Sequence, residues 1–272
     1  MKRKELSDKT RHPQEQSEAL PHSGVSKISQ KQIDKGGSLW ETLRFYWGAF
    51  VISTIVALGM VPLIHLFPRH KGTIMHKLNR AILFLMGAKI ATVGERDPQA
   101  NLFLMNHQGI IDIITMEAVE NTHWRWVAKK ELFEVPWFGL LLKGGDMISV
   151  DRENKAGLVK LFKDAQETLE KKNRAVAIFP EGTRASDQKL LPFKPGPRFI
   201  AQKLGMRVQP VVIVGSKHVL NEHNRTAHSG TVKVIYLPSV DVSKAPKDWY
   251  DRIARDMQAE IDRQEREYGL HR

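Results

Sequence analysis

The chain contains no cysteine, which excludes both a disulfide framework and a thiolate metal site and fits a reducing compartment. It also lacks the G-x-S-x-G pattern of a nucleophile elbow, so neither a thiol nor an elbow serine is on offer for a double-displacement hydrolase. No internal repeat is present. His107 and His123 do not stand at metal-ligand spacing with nearby carboxylates, so no metal is expected. Acidic residues are in deficit, 30 against 42 Lys and Arg, and the net charge of +12 calls for an anionic partner. The basic residues are scattered and no nucleic-acid recognition motif accompanies them, which argues against nucleic acid as that partner.

The most local absence is of charge. From Phe45 to Phe67 there is no Asp, Glu, Lys or Arg, and the stretch is long enough as a helix to cross or enter a bilayer. Arg44 precedes it, Arg69, His70 and Lys71 follow it, and Tyr46 and Trp47 lie where an interfacial aromatic belt would sit. Pro62, Ser53, Thr54 and His65 interrupt the apolar character, so spanning and dipping into one leaflet both stay open, beside a buried core helix. A second helical stripe, Ile74, Leu78, Ile82 and Leu85, either lies in the membrane interface or packs on the globular domain.

Residues 1–38 read as a flexible basic tail, 39–90 as a membrane-associated helical segment, and 91–272 as an α/β domain. Within the last, short apolar runs at 90–93, 101–105, 124–128, 147–150, 175–179, 208–214 and 232–236 alternate with helical stretches. The fold class is therefore α/β: a mostly parallel central sheet flanked by helices, with an N-terminal membrane-associated helical segment. The final helix carries Trp249, Ile253, Met257 and Ile261 on one stripe and is placed as a cover for the sheet.

Two polar motifs directly follow apolar runs: NHQGIID at 106–112 and FPEGTR at 179–184. Ligands of open α/β sheets bind beyond the carboxyl ends of such strands. His107 and Asp112 would stand about 140° apart in a continuous helix. They meet only if His107 is in the turn and Asp112 in the first helical turn, with Asn106 a turn or cap residue. The carboxylate then fixes the imidazole tautomer and leaves the other nitrogen free as a base; the alternative is a capping Asp beside a satisfied histidine. In the second motif Gly182 allows close backbone approach, Thr183 offers a hydroxyl, and Arg184 can fork onto a phosphate. Glu181 cannot attract phosphate and is read as orienting Arg184 or a backbone amide. The alternative is a solvated loop with one surface salt bridge.

Together these motifs, with VAKKELFEVPWFG at 127–139, ISVDR at 148–152 and QPVVI at 209–213, resemble the glycerolipid acyltransferase family, closest to the 1-acylglycerol-3-phosphate acyltransferases. The resemblance covers roughly residues 75–215. It implies a general base at His107 oriented by Asp112. It also implies an acceptor-phosphate site at Gly182, Thr183 and Arg184, grouped with Glu181, with Arg152 as a second acceptor position and Lys130 as a helper at the donor carbonyl or phosphate. The reaction implied is acyl transfer from a thioester to the hydroxyl of lysophosphatidic acid, with no cofactor beyond acyl-coenzyme A or acyl carrier protein as co-substrate. The implied location is the membrane, at the cytoplasmic face of the inner membrane if the source is bacterial, with membrane phospholipids as partners. Glycerol 3-phosphate, a lysophospholipid or a lyso-aminolipid are alternative acceptors, and a non-catalytic anionic-lipid binder is the rival class. Gly109 stands where many relatives carry serine, so a hydroxyl contact in the first loop is expected to be lost.

Overall fold

The computed structural model describes residues 37–268, apart from Glu153; the tail reading of 1–38 falls almost wholly outside them. Helix α1 (Leu39–Leu66) is continuous over 28 residues, about 42 Å at the usual rise. Ser38 starts it with a capping box: Ser38 Oγ accepts the Glu41 amide at 3.3 Å, and Glu41 Oε2 accepts the Ser38 amide at 2.8 Å. Pro62 does not end the helix. Ile55–Met60 is wound as a π-helix, and Pro62 lies in the first turn of the α-helical stretch that follows, where the bond pattern is already displaced. Gly48, Val51, Met60, Val61 and Ile64 are buried along the helix. Its other face is bare, with Trp40 67% and Leu58 74% exposed.

Helix α2 (Lys71–Leu85) buries Met75, Asn79, Ile82 and Leu83 and packs on α3 (Ile110–Val119), which settles its place on the domain. Its last turn still shows Phe84 and Leu85 to solvent.

The strands are β1 (Ala88–Val93), β2 (Leu102–Met105), β3 (Arg125–Lys129), β4 (Ile148–Val150), β5 (Val176–Ile178), β6 (Arg207–Val214), β7 (Leu220–Asn221), β8 (Thr226–Ala227), β9 (Gly230–Tyr236) and β10 (Val240–Asp241). The seven expected runs are all strands, the first beginning at Ala88. The main sheet has the order β1-β9-β6-β2-β5-β3-β4, with β10 added antiparallel to β6, and β7 and β8 form a separate hairpin. From β6 to β4 every neighbour is parallel. The β1–β9 pair is parallel within itself but runs against β6. Strands β2 and β5 are neighbours at the centre, with Leu102 opposite Val176 and Leu104 opposite Ile178.

The period-two alternation of side chains divides two cores. Phe103, Met105, Ala177 and Phe179 join the core under α1, α2 and α3. Leu102, Leu104, Val176 and Ile178 join the opposite core, under α5 (Lys155–Glu170), α6 (Pro195–Lys203) and α8 (Trp249–Tyr268). The α8 stripe of Trp249, Ile253, Met257 and Ile261 is buried there, each residue contributing roughly 1.5–3 kcal/mol of transfer free energy. Between β3 and β4 lie a 3-10 turn (Lys130–Phe133) and α4 (Phe138–Gly144); α7 (Ser216–Val219) is a single turn after β6.

At the start of α5, Asn154 Oδ1 accepts the Gly157 amide at 2.8 Å. A Cβ on Gly157 would lie 1.7 Å from the Asp151 carbonyl oxygen. Alanine normally favours a helix over glycine by about 1 kcal/mol. Here Gly157→Ala must push away the loop that carries Arg152, and should destabilise the fold by about 1–3 kcal/mol in thermal or chemical unfolding; a more stable variant would refute the contact.

Candidate active site

Because β2 and β5 are adjacent, the two motifs emerge side by side. Asn106 is not a cap. Its buried amide staples β2 to β6, with Nδ2 donating to Ile213 O at 2.8 Å and Oδ1 accepting Ile213 N–H at 2.7 Å. The chain then turns through His107, Gln108 and Gly109 into α3. Asp112, wholly buried, turns one carboxylate oxygen back onto this loop. Its Oδ2 accepts Gln108 N–H at 2.6 Å, Gly109 N–H at 2.8 Å and the His107 ring Nδ1 at 3.0 Å. A carboxylate oxygen can only accept here, so Nδ1 carries the proton and Nε2 has the free lone pair. Gly109 has an extended backbone, and a Cβ there would meet nothing within 4 Å. A serine would fit, so glycine at this position is not a steric necessity.

The second motif locks onto the first. Glu181 is 1% exposed. Its Oε1 accepts His107 N–H at 2.8 Å, and its Oε2 accepts Leu191 N–H at 2.8 Å. Burial raises its pKa, against the two amides that lower it. Of the two roles read for Glu181, orienting Arg184 or a backbone amide, its carboxylate takes the second, holding two amides that offset the cost of its burial. Ala185 N–H closes the clasp on His107 O at 2.8 Å. Gly182 takes φ +73°, and its carbonyl accepts the Arg152 guanidinium.

Arg184 and Thr183 are exposed. Arg184 pairs with Glu222 in the β7–β8 turn, and Glu222 Oε1 also accepts Ile110 N–H, at the start of α3, at 3.2 Å. Lys130 is exposed at the head of the 3-10 turn after β3. A cavity of about 530 Å³ opens beside Gly182. Val150, Leu158, Leu161 and Ile178 line it together with Arg152 and Lys194.

Three participants were not read from sequence. Lys194 flanks Gly182 together with Arg152. Glu222 lies in a hairpin that no pattern marked. Phe179 opens the second motif but was given no role of its own, and its ring stacks on His107 at 3.8 Å between centroids and 13° between planes. Behind it, Trp126 stacks on Phe179 at 5.3 Å, and its indole N–H donates to Glu117 Oε1 at 2.5 Å.

The acyltransferase family model matches residues 90–214, which contain both motifs. The 1-acyl-sn-glycerol-3-phosphate acyltransferase of Helicobacter pylori is 34% identical over 221 residues, 80% of this chain and 92% of the relative. The chain belongs to the acyltransferase family. The Escherichia coli 1-acyl-sn-glycerol-3-phosphate acyltransferase is 29% identical over 190 residues, 69% of this chain and 76% of its own length. In fold, the crystal structure of the 1-acyl-sn-glycerophosphate acyltransferase from Thermotoga maritima superposes with a TM-score of 0.67 at 21% identity. It covers 84% of this chain and 95% of that one.

Glu117 has a pH consequence in this acyltransferase. Burial lifts its pKa from 4.5 to about 7, opposed by the Trp126 hydrogen bond and by Arg174. A raised folded-state pKa gives stability that is full below the unfolded value and lost as pH rises through the folded one. Relative to wild type, Glu117→Gln should therefore gain stability between pH 5 and pH 8, by up to about 3 kcal/mol. Unfolding of both proteins at the two pH values checks this, and a pH-independent difference would count against it.

Proposed function

We propose that this acyltransferase moves a fatty acyl group from a thioester to the free hydroxyl of 1-acylglycerol 3-phosphate, giving phosphatidic acid. The observation that carries this reading is the part-buried His107, paired with the buried Asp112 and set beside a cationic loop at two neighbouring strand ends. Mere lipid binding needs no histidine with an oriented, unencumbered Nε2. The names of the similar proteins from Helicobacter pylori and Escherichia coli support the same acceptor.

In the proposed reaction, Nε2 of His107 takes the hydroxyl proton as the oxygen attacks the thioester carbonyl. A C–O bond forms, the tetrahedral intermediate collapses with loss of the C–S bond, and the proton passes to the departing thiolate. Asp112 stabilises the imidazolium in between, and backbone amides or Lys130 meet the oxyanion. No covalent enzyme intermediate is needed. The acceptor phosphate is assigned to Arg184 and Arg152 around Gly182 and Thr183, with Lys194 close by. The Arg184–Glu222 pair is half exposed; such pairs are worth about 0–1 kcal/mol, so a phosphate dianion can replace the carboxylate. Acyl-coenzyme A or acyl carrier protein is the proposed donor, and both are anionic partners for a chain of net charge +12.

Helix α1 is apolar enough to cross a membrane, but only 22% of its most apolar window is buried. A core helix of a soluble protein would be covered all round. Its buried residues run from Gly48 to Ile64, gluing it lengthwise to the domain. The reading is thus insertion into one leaflet, with Trp40, Trp47, Phe50 and Leu58 in lipid and the site at the membrane surface. In a bacterium this is the cytoplasmic face of the inner membrane, where both donors are found.

His107→Ala should cut turnover by about 10²–10⁴-fold while the protein still folds and stays membrane-bound; near-normal turnover in purified protein would refute the base assignment. Arg184→Ala should raise the apparent KM for lysophosphatidic acid more than that for the donor, with Arg184→Lys milder because it keeps charge and loses the fork. A defect confined to the donor would leave Arg184 as a structural loop residue. Membrane binding should resist high-salt washing and yield to detergent, since apolar burial is not screened by ions; release by salt alone would refute insertion.

A further inference from the structure

The imidazole of His107 is held at its edge and at its face by different parts of the chain. The Asp112 bond holds one edge of the ring at Nδ1 but resists only weakly a tilt of the ring plane through the side-chain torsions. Phe179 removes that freedom by lying flat on the ring, 13° from parallel. Phe179 is backed by Trp126 at 5.3 Å and 28°, and Trp126 is pinned through its indole N–H to Glu117 Oε1. Phe179, Trp126 and Glu117 are all buried. Glu117 belongs to α3, the same helix that supplies Asp112.

We propose that Phe179, Trp126 and Glu117 are positioning residues for acyl transfer, a stack anchored on α3 that sets the plane of the His107 imidazole and so aims Nε2 at the attacking hydroxyl. The proposal rests on His107 being the base. Proton abstraction uses the in-plane lone pair of Nε2, so a ring that rocks spends its time misaligned. The phenyl face also favours the imidazolium that forms in the reaction. Glu117 fits this role better than a packing role. A buried carboxylate costs stability that an apolar side chain of similar size would not, and what it provides here is one fixed acceptor for the indole. Because Asp112 and Glu117 share one helix, the edge and face restraints cannot drift apart.

The test is steady-state kinetics with acceptor and donor varied separately, together with NMR of the His107 ring protons in the full-length protein, folding being checked by circular dichroism. Phe179→Leu should lower kcat by roughly ten- to hundredfold, with both KM values within about a factor of two of wild type. The ring-current shift of the His107 protons should be lost with it. Phe179→Tyr, which keeps an aromatic face, should recover most of the rate and the shift. Trp126→Phe and Glu117→Leu should show smaller losses in kcat, and Glu117→Gln should exceed Glu117→Leu because its amide oxygen still accepts the indole N–H. A folded Phe179→Leu with wild-type kcat, or with a loss confined to KM, would overturn the proposal. Should Phe179→Leu fail to fold, equal rates for Glu117→Gln and Glu117→Leu would overturn it instead. Activity in His107→Ala would be a different failure, that of the base assignment itself.

Discussion

One oxygen atom, Oδ2 of Asp112, gathers the parts of this site. It accepts the Gln108 and Gly109 amides and the His107 ring N–H together, and so ties the end of β2, the following turn and the start of α3 into one unit. A carboxylate buried without donors would be untenable. The loop therefore has little freedom to take another shape, and the imidazole is fixed by the same bonds that make the turn. Glu181 repeats the device from the neighbouring strand, accepting amides from His107 and Leu191. The catalytic histidine of the proposed mechanism is thus held through its backbone by one carboxylate and through its ring by another.

The sheet brings the two loops together. Strands β2 and β5 lie far apart in sequence yet pair directly, and the switch in core membership from Leu104 to Met105 and from Ile178 to Phe179 turns the last residue of each run toward the α3 side. This is why Phe179, and not Ile178, reaches His107. The apolar α1 and α2 cover the same core, so the layer proposed to meet lipid is continuous with the packing behind the histidine.

Much of this was legible in the sequence because its signals are local. The seven strands of the expected sheet are short apolar runs bounded by turn formers. The His107–Asp112 spacing admitted only one geometry in which the two could meet. The α8 stripe keeps helical period over its whole length. What was not legible depends on tertiary neighbours. Nothing in the apolar run around Pro62 signals that α1 passes it through a π-helical stretch at Ile55–Met60. Strand alternation cannot reveal that β6 and β9 run antiparallel. Asn106 has the composition of a cap and the role of a staple to β6. Glu222 meets Arg184 only because the β7–β8 hairpin folds over the second motif; nothing in its own segment points there.

The most direct measurement of the central claim is ¹⁵N NMR of the full-length protein, labelled at histidine and held in detergent, with His107 assigned by comparison with His107→Ala. Neutral His107 is expected as the Nδ1–H tautomer with a bare Nε2, and Asp112→Asn is expected to disturb that preference together with turnover. A neutral His107 protonated at Nε2, or a tautomer unchanged by Asp112→Asn, would contradict the claim that Asp112 prepares this histidine to act as a base.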